Sequence, residues 1–304
     1  MAGKSLKELI AEPGILCMPG VYDGFSARLV EASGYQACEI SGAGLSESRL
    51  GQPDVGLMGL ETNLAASGSI ASCVGIPCLA DADTGYGSAV NVHYAVQAFE
   101  RAGVAGVMLE DQTWPKRCGH LNGKEVIDAD EMVGKIRAAV EARTSPDFVI
   151  KARTDAAGAL GVDEAIRRAN LYAEAGADLL FADALLSRAD IAKFAKQVHG
   201  PVSVNMGLGI RSRPTTPLMS AKQLEDVGVA VVVFARILTA AAVRGMRNAL
   251  TALGRSIESG DVVEEPDTLV SFEELQELVG LDNIHAMESR YLTAEELARK
   301  YGSR

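Results

Sequence analysis

Carboxylates and one amide cluster at the ends of short apolar runs in this 304-residue chain. Asp81 and Asp83 lie in Asp81-Ala82-Asp83-Thr84-Gly85-Tyr86-Gly87, Glu110 and Asp111 end the next run, Arg153 and Asp155 follow a third, and Asp183 and Asn205 follow two more. Carboxylates at i and i+2 facing a third on a neighbouring strand repel one another unless a cation lies between them, and ligands that are all oxygen select Mg²⁺ or Mn²⁺. A divalent metal therefore accounts for the pattern. Asp111 and Asp155 are read as caps of following helices. Asp83, between a strand end and two glycines, is read as a site residue.

A second chemical signature is Lys116-Arg117-Cys118-Gly119-His120, on a long connecting segment. A thiol flanked by Lys116, Arg117 and His120 sits in an electropositive setting that favours proton transfer or nucleophilic attack. With no second Cys or His pair nearby, structural zinc does not fit, and Gly119 suits a loop that moves over a site. Ser41-Gly42-Ala43-Gly44 exposes successive N–H groups that suit a carboxylate or oxyanion. Arg153 offers a fork for a carboxylate, or an ion pair with the neighbouring acids.

Positioning such groups requires strand ends brought to one face. Eight β-forming runs (Ile15-Met18, Ala37-Ser41, Cys78-Asp81, Gly106-Glu110, Phe148-Ala152, Leu179-Phe181, Val202-Asn205, Val229-Phe234) alternate with segments of helical apolar spacing. Continuous apolar strands separated by helices need a parallel sheet covered on its faces, and eight units in about 250 residues predict an α/β fold, a (β/α)8 TIM barrel, over residues 1–255. The alternative, an open doubly wound sheet, lacks a G-x-G-x-x-G after the first strand. Residues 256–304 read as an acidic linker, with Glu264, Glu265 and Pro266, and C-terminal helices over Phe272-Gly280 and Thr293-Tyr301 that pack on the barrel or on a partner subunit. The 29 Lys and Arg against 40 Asp and Glu give a net charge of −11, which disfavours nucleic acid and anionic membrane partners. No apolar run reaches the length of a membrane helix, and five scattered cysteines suit a reducing compartment, so a cytoplasmic protein is expected.

Together these segments resemble the isocitrate lyase and phosphoenolpyruvate mutase superfamily. The stretches that carry the resemblance are Pro19-Gly20-Val21-Tyr22-Asp23, Ser41-Gly42-Ala43, Gln52-Pro53-Asp54, Asp81 to Gly87, Glu110-Asp111-Gln112, Lys116 to His120, Ala152-Arg153-Thr154-Asp155 and Thr216-Pro217. The Lys-Arg-Cys-Gly-His run points to the carbon–carbon lyase branch, of the 2-alkylmalate (2,3-dimethylmalate) or 2-methylisocitrate lyase type. The resemblance implies a barrel with a C-terminal helix swapped between subunits, a homotetramer built of dimers, and Mg²⁺ held directly by Asp83 and through water by Asp54, Asp81 and Glu110. It further implies that Ser41, Gly42, Ala43, Asp81, Arg153, Asp183, Asn205, Thr216 and Pro217 contact a small hydroxy or oxo carboxylic acid, and that Cys118, tuned by Lys116 and His120, is the general acid.

Three positions depart from the superfamily pattern. Glu39 stands where Tyr is usual, and Asp183 replaces a Glu. The segment from Asn205 to Pro217 is four residues longer, lacks its acid, and carries Arg211 and Arg213. The two arginines read either as a seat for an additional anionic group or as a solvated loop. The expected activity is retro-aldol cleavage of a 2-hydroxy acid to pyruvate or glyoxylate and a second carboxylic acid. The alternatives are oxaloacetate hydrolysis or decarboxylation, a CoA-thioester lyase if the arginine loop takes phosphate, and a catalytically idle binding or assembly homologue.

Overall fold

The computed structural model describes residues 3–119, 121, 123–208, 216–262 and 268–302. Eight parallel strands close in sequence order into one barrel: β1 (Leu16–Val21), β2 (Cys38–Ile40), β3 (Cys78–Asp81), β4 (Gly106–Glu110), β5 (Val149–Thr154), β6 (Leu179–Ala182), β7 (Val202–Asn205) and β8 (Val231–Phe234). Helices between the strands cover the outside, which is why the strands read as unbroken apolar runs. Side chains such as Ile40, Ala80, Val107, Ile150 and Val204 pack outward against helical Val96, Phe99, Ile136 and Phe194. The alternate residues Met18, Leu79, Met108, Val149, Phe181 and Val231 fill the interior.

Three strands exceed their expected bounds, β6 only by Ala182. The first run was expected over Ile15-Met18, yet β1 continues through Pro19 and Gly20 to Val21. Gly20 there passes so close to the next chain segment that a Cβ would lie 2.5 Å from the Ala235 backbone. β5 runs on to Thr154, which puts Arg153 within the sheet beside Glu110 and Phe181. The sequence reading also lacked the helix Leu6–Ala11, whose Ser5 and Glu8 form a reciprocal cap and whose Leu6, Leu9 and Ile10 join the interior cluster at the strands' amino ends. With that end sealed by apolar side chains, the polar groups collect at the carboxyl ends.

The chain divides into two compact units, Met1–Ala241 and Ala242–Arg304. The division falls inside the long helix Ile237–Ser259, which extends past the expected linker start at Ser256. Further on are helices Phe272–Leu278, Leu281–Tyr291 and Ala294–Tyr301, of which the middle one was not anticipated. Glu264, Glu265 and Pro266 lie outside the described residues. No helix of the described residues is long and apolar enough to cross a membrane.

Candidate active site at the carboxyl ends of the strands

Asp81 ends β3, and the turn after it is strained. Asp83 has φ 50° and Tyr86 φ 60°, a left-handed conformation that side chains rarely adopt and that structures retain at functional sites. The Asp83 N–H donates to Asp81 Oδ1 at 3.1 Å, which aims the Asp83 carboxylate inward. Lys116 Nζ lies 2.5 Å from Asp54 and 2.7 Å from Asp83, all three side chains being buried. Burial pushes the Asp83 carboxyl up to about 7, with Asp81 and Asp54 adding to the rise against the pull of Lys116. Burial likewise raises Glu110 well above the ordinary carboxylate range, although Arg153 and Lys116 oppose it.

Glu110 Oε1 is buried without a hydrogen-bond partner, in a cluster whose donors are all carboxylate oxygens. That orphaned atom and that donor chemistry fit a hard divalent cation. Among the described residues no three His, Cys, Asp or Glu groups converge closely enough to hold an ion by themselves.

Arg153 is committed to neighbouring acids. Its Nε donates to Asp155 at 2.8 Å, Nη1 lies 3.1 Å from Glu110, and Nη2 lies 3.4 Å from Asp183. Of the two readings of Arg153, the ion pair is the one observed. Lys124, which the sequence reading passed over, spans Asp155 at 2.7 Å, Asp183 at 3.0 Å and the Gly119 carbonyl at 3.0 Å. Asp155 therefore serves these cations, and its side chain makes no cap hydrogen bond to the helix that follows. Asp111 is no cap either. It accepts from the Thr154 and Tyr172 hydroxyls, the Asp155 N–H and Arg168, and so fixes β4 against β5 and the helix beyond. Both cap expectations fail because the carboxylates face buried donors rather than a helix's first turn.

The thiol loop is tied over this end of the barrel. The Cys118 N–H donates to the Asp54 carbonyl at 3.0 Å, and Gln112 clamps Arg117 by accepting from its N–H and donating to its carbonyl, both at 2.9 Å. Gly119 packs tightly there, since a Cβ would lie 1.9 Å from Asp183 Oδ2 and one of the two would have to shift. Lys116, expected to tune the thiol, instead turns its ammonium into the carboxylate cluster. The cation beside Cys118 Sγ is Arg236, 3.8 Å away on the segment after β8 and also paired with Glu47.

One cavity joins these groups. Asp54, Asp81, Arg153, Asp183, Cys118, Gly119 and Arg236 line it, and Ser41, Ala43, Asn205, Glu39, Phe181 and Met108 also reach it. Ser41 Oγ accepts from the Gly44 N–H at 3.1 Å and opens the short helix Gly42–Leu45, leaving first-turn N–H groups without intrahelical acceptors. Gly42 packs on Asp81, where a Cβ would meet Oδ2 at 2.6 Å. Asn205 Oδ1 is buried and unpartnered. Thr216 and Pro217 do not line the cavity, and His120, Arg211 and Arg213 lie outside the described residues. Glu39 pairs with Lys151 at 2.5 Å inside the barrel, and Lys151 also sits 4.9 Å above the Phe181 ring. An acid at position 39 is thus matched by a base on β5.

The chain matches, over residues 6–253, the family model described as phosphoenolpyruvate phosphomutase. It is 39% identical over 288 residues to the 2,3-dimethylmalate lyase of Eubacterium barkeri, covering 95% of this chain and 97% of that protein. It is 40% identical over 290 residues to a probable 2-methylisocitrate lyase of Corynebacterium glutamicum, covering 95% and 92%. Among solved structures, an oxaloacetate acetylhydrolase in complex with the inhibitor 3,3-difluorooxalacetate matches with TM-score 0.86 and 34% identity over 95% of this chain and 96% of that one.

Proposed function

Since the chain belongs to the phosphoenolpyruvate mutase/isocitrate lyase superfamily, we propose that it is a Mg²⁺-dependent lyase that cleaves a 2-hydroxy dicarboxylic acid of the 2-alkylmalate or 2-methylisocitrate kind into pyruvate or glyoxylate and a second carboxylic acid. The observation that carries this reading is that Cys118 lines the same cavity as Asp54, Asp81 and Arg153. Asp83 would hold Mg²⁺, with Asp54, Asp81 and Glu110 holding its waters; Mn²⁺ could replace it. When bound, the cation would draw electron density from the hydroxyl and carboxylate of the substrate carbon that becomes the 2-oxo group.

The protein's own groups do the rest. Gly42 and Ala43 offer N–H donors and Ser41 its hydroxyl to the 2-oxo acid carboxylate, and Asn205 offers its free amide oxygen to a substrate hydroxyl. Burial raises the proton affinity of Glu110, so the carboxylate cluster can take the hydroxyl proton as the carbon–carbon bond breaks. Cys118 then returns a proton to the other fragment. Lys124 and Asp183, through Gly119, hold the thiol loop shut and keep water from quenching that carbanion first.

The oxaloacetate acetylhydrolase likeness favours a second reading, hydrolysis of oxaloacetate at the same site. Release of 2-oxo acid from 2,3-dimethylmalate, 2-methylisocitrate, citramalate, malate and oxaloacetate, followed with Mg²⁺ and with EDTA, decides between them. Pyruvate or glyoxylate from a hydroxy acid, lost in Cys118→Ser, supports the lyase, whereas loss of oxaloacetate alone supports the hydrolase. A homotetramer with an exchanged helix belongs to the same reading. Val243, Met246, Leu250, Leu253 and Ile257 form an exposed apolar stripe at helical spacing that a second copy would cover. Five free cysteines suit action in a reducing cytoplasm.

A further inference from the structure

A second cavity, of about 480 Å³, shares no lining residue with the one described above. Its size falls within the roughly 300–1,000 Å³ of sites that take small organic molecules. Leu60, Ile127 and the half-exposed Trp114 give it an apolar wall, and Lys135 and Glu131 bring the charges. Lys135 lies on the buried face of the helix Ala129–Ala142, with Met132, Ile136 and Ala139, and is only 4% exposed. Its Nζ donates to the Thr84 carbonyl at 3.1 Å. Among the described residues Thr84 thus takes one of the three ammonium protons, which leaves two for a ligand. Burial disfavours the charge on Lys135, and Glu131, one turn back on the same helix, is the acid that offsets this.

A buried cation with spare donors beside an apolar wall selects an anion with an apolar body. The charges fix its valence, because one ammonium matches one negative charge and a second would meet Glu131. We propose that this cavity binds a small monocarboxylate, its carboxylate on Lys135 and its body against Trp114, Leu60 and Ile127, and that the ligand is an effector of the thiol loop. The links to the loop are direct. Thr84, held by Lys135, follows Asp83 in the strained turn. Gln112 lines the cavity and has its amide on the backbone of Arg117, next to Cys118. Trp114 stands between Gln112 and Lys116 at the start of the loop. A molecule lodged against Lys135 and Trp114 therefore ties the start of the loop to the helix Ala129–Ala142 and to the Asp83 turn. It favours the closed arrangement that presents Trp114 to it, and so slows opening. The inference goes beyond the lyase reading and does not depend on it.

Trp114 is the chain's single tryptophan, so its fluorescence reports on this cavity. The probe is benzoate, with benzyl alcohol as an uncharged ligand with the same ring. Each would be titrated to about 10 mM, enough to capture millimolar affinity, into native and Lys135→Met protein. Benzoate should shift the emission of the native protein saturably. Benzyl alcohol on the native protein, and benzoate on Lys135→Met, should bind at least about tenfold more weakly, since each lacks one partner of a charge-assisted hydrogen bond. Saturating benzoate should also slow alkylation of Cys118 by iodoacetamide, followed by peptide mass, at least about fivefold in the native protein. The comparison of the two probes on native protein decides the site even if Lys135→Met does not fold. No shift with benzoate, equal affinity for the two probes, or equal benzoate affinity in native and Lys135→Met protein would each overturn the site. Saturable binding that leaves the alkylation rate of Cys118 unchanged would overturn the ligand's role as an effector.

Discussion

Lys116 Nζ sits 2.7 Å from Asp83, so the ammonium of the thiol-bearing loop occupies the carboxylate cluster rather than the neighbourhood of the thiol. Asp83 is held near 7 by burial, far above its unfolded value of about 3.8. A carboxyl raised in the folded state contributes stability that is complete below its unfolded value and is lost as pH climbs through the folded one. The metal-free protein should therefore lose part of its stability between about pH 4 and 7. Mg²⁺ needs the ionised form, so its binding should strengthen about tenfold per pH unit below 7 and level off above. Thermal unfolding with EDTA and with Mg²⁺ from pH 5.5 to 8.5 checks this; a Mg²⁺-induced rise in Tm that is the same at every pH contradicts it.

Replacing Cys118 by Ser keeps a small side chain in the loop but leaves a far weaker acid. Turnover of the hydroxy acid should fall by about 10²- to 10⁴-fold, the range of general acid catalysis, while Mg²⁺ and oxalate binding stay near native. Steady-state rates and calorimetry on one preparation measure both. Undiminished turnover would remove Cys118 from the chemistry.

The fold was legible because each parallel strand is buried on both faces and announces itself as a short apolar run. Its ends were less so: a Pro-Gly pair signals a turn, and nothing local shows that Gly20 is needed to let the Ala235 backbone approach. The acids of the site were legible too, since unpaired carboxylates at strand ends require a partner. Which cation serves which acid was not. Lys124 and Arg236 reach the site from distant segments, and no spacing rule ties Arg236 to Cys118, 118 residues earlier. Glu39 looked anomalous by itself and makes sense only with Lys151, its partner across the barrel.

Gly119→Ala tests whether the closed loop is needed for catalysis. The added methyl would stand 1.9 Å from Asp183 Oδ2, so the loop must lift or Asp183 must swing aside and strain its bond to Lys124. Because the loop lies at the rim and not in the core, Tm should move by only a few degrees, corresponding to about 1 kcal/mol or less. Displacing a positioned acid by an ångström should nonetheless reduce kcat/KM by about 100-fold. Native kinetics in this variant would show that Cys118 acts without the closed loop.

The Glu39–Lys151 pair is buried, with Lys151 only 1% exposed. Taking one partner away strands a charge in a low-dielectric interior, so Glu39→Leu should destabilise the protein by about 3–5 kcal/mol. Removing both charges in Glu39→Leu/Lys151→Met should recover most of that loss, because two apolar side chains of similar size need no compensation. Urea denaturation of the native, single and double variants gives the coupling directly. If the double variant lost as much stability as the two single variants added together, the two residues would be acting independently. The pair would then be no more than two charges placed side by side in the barrel.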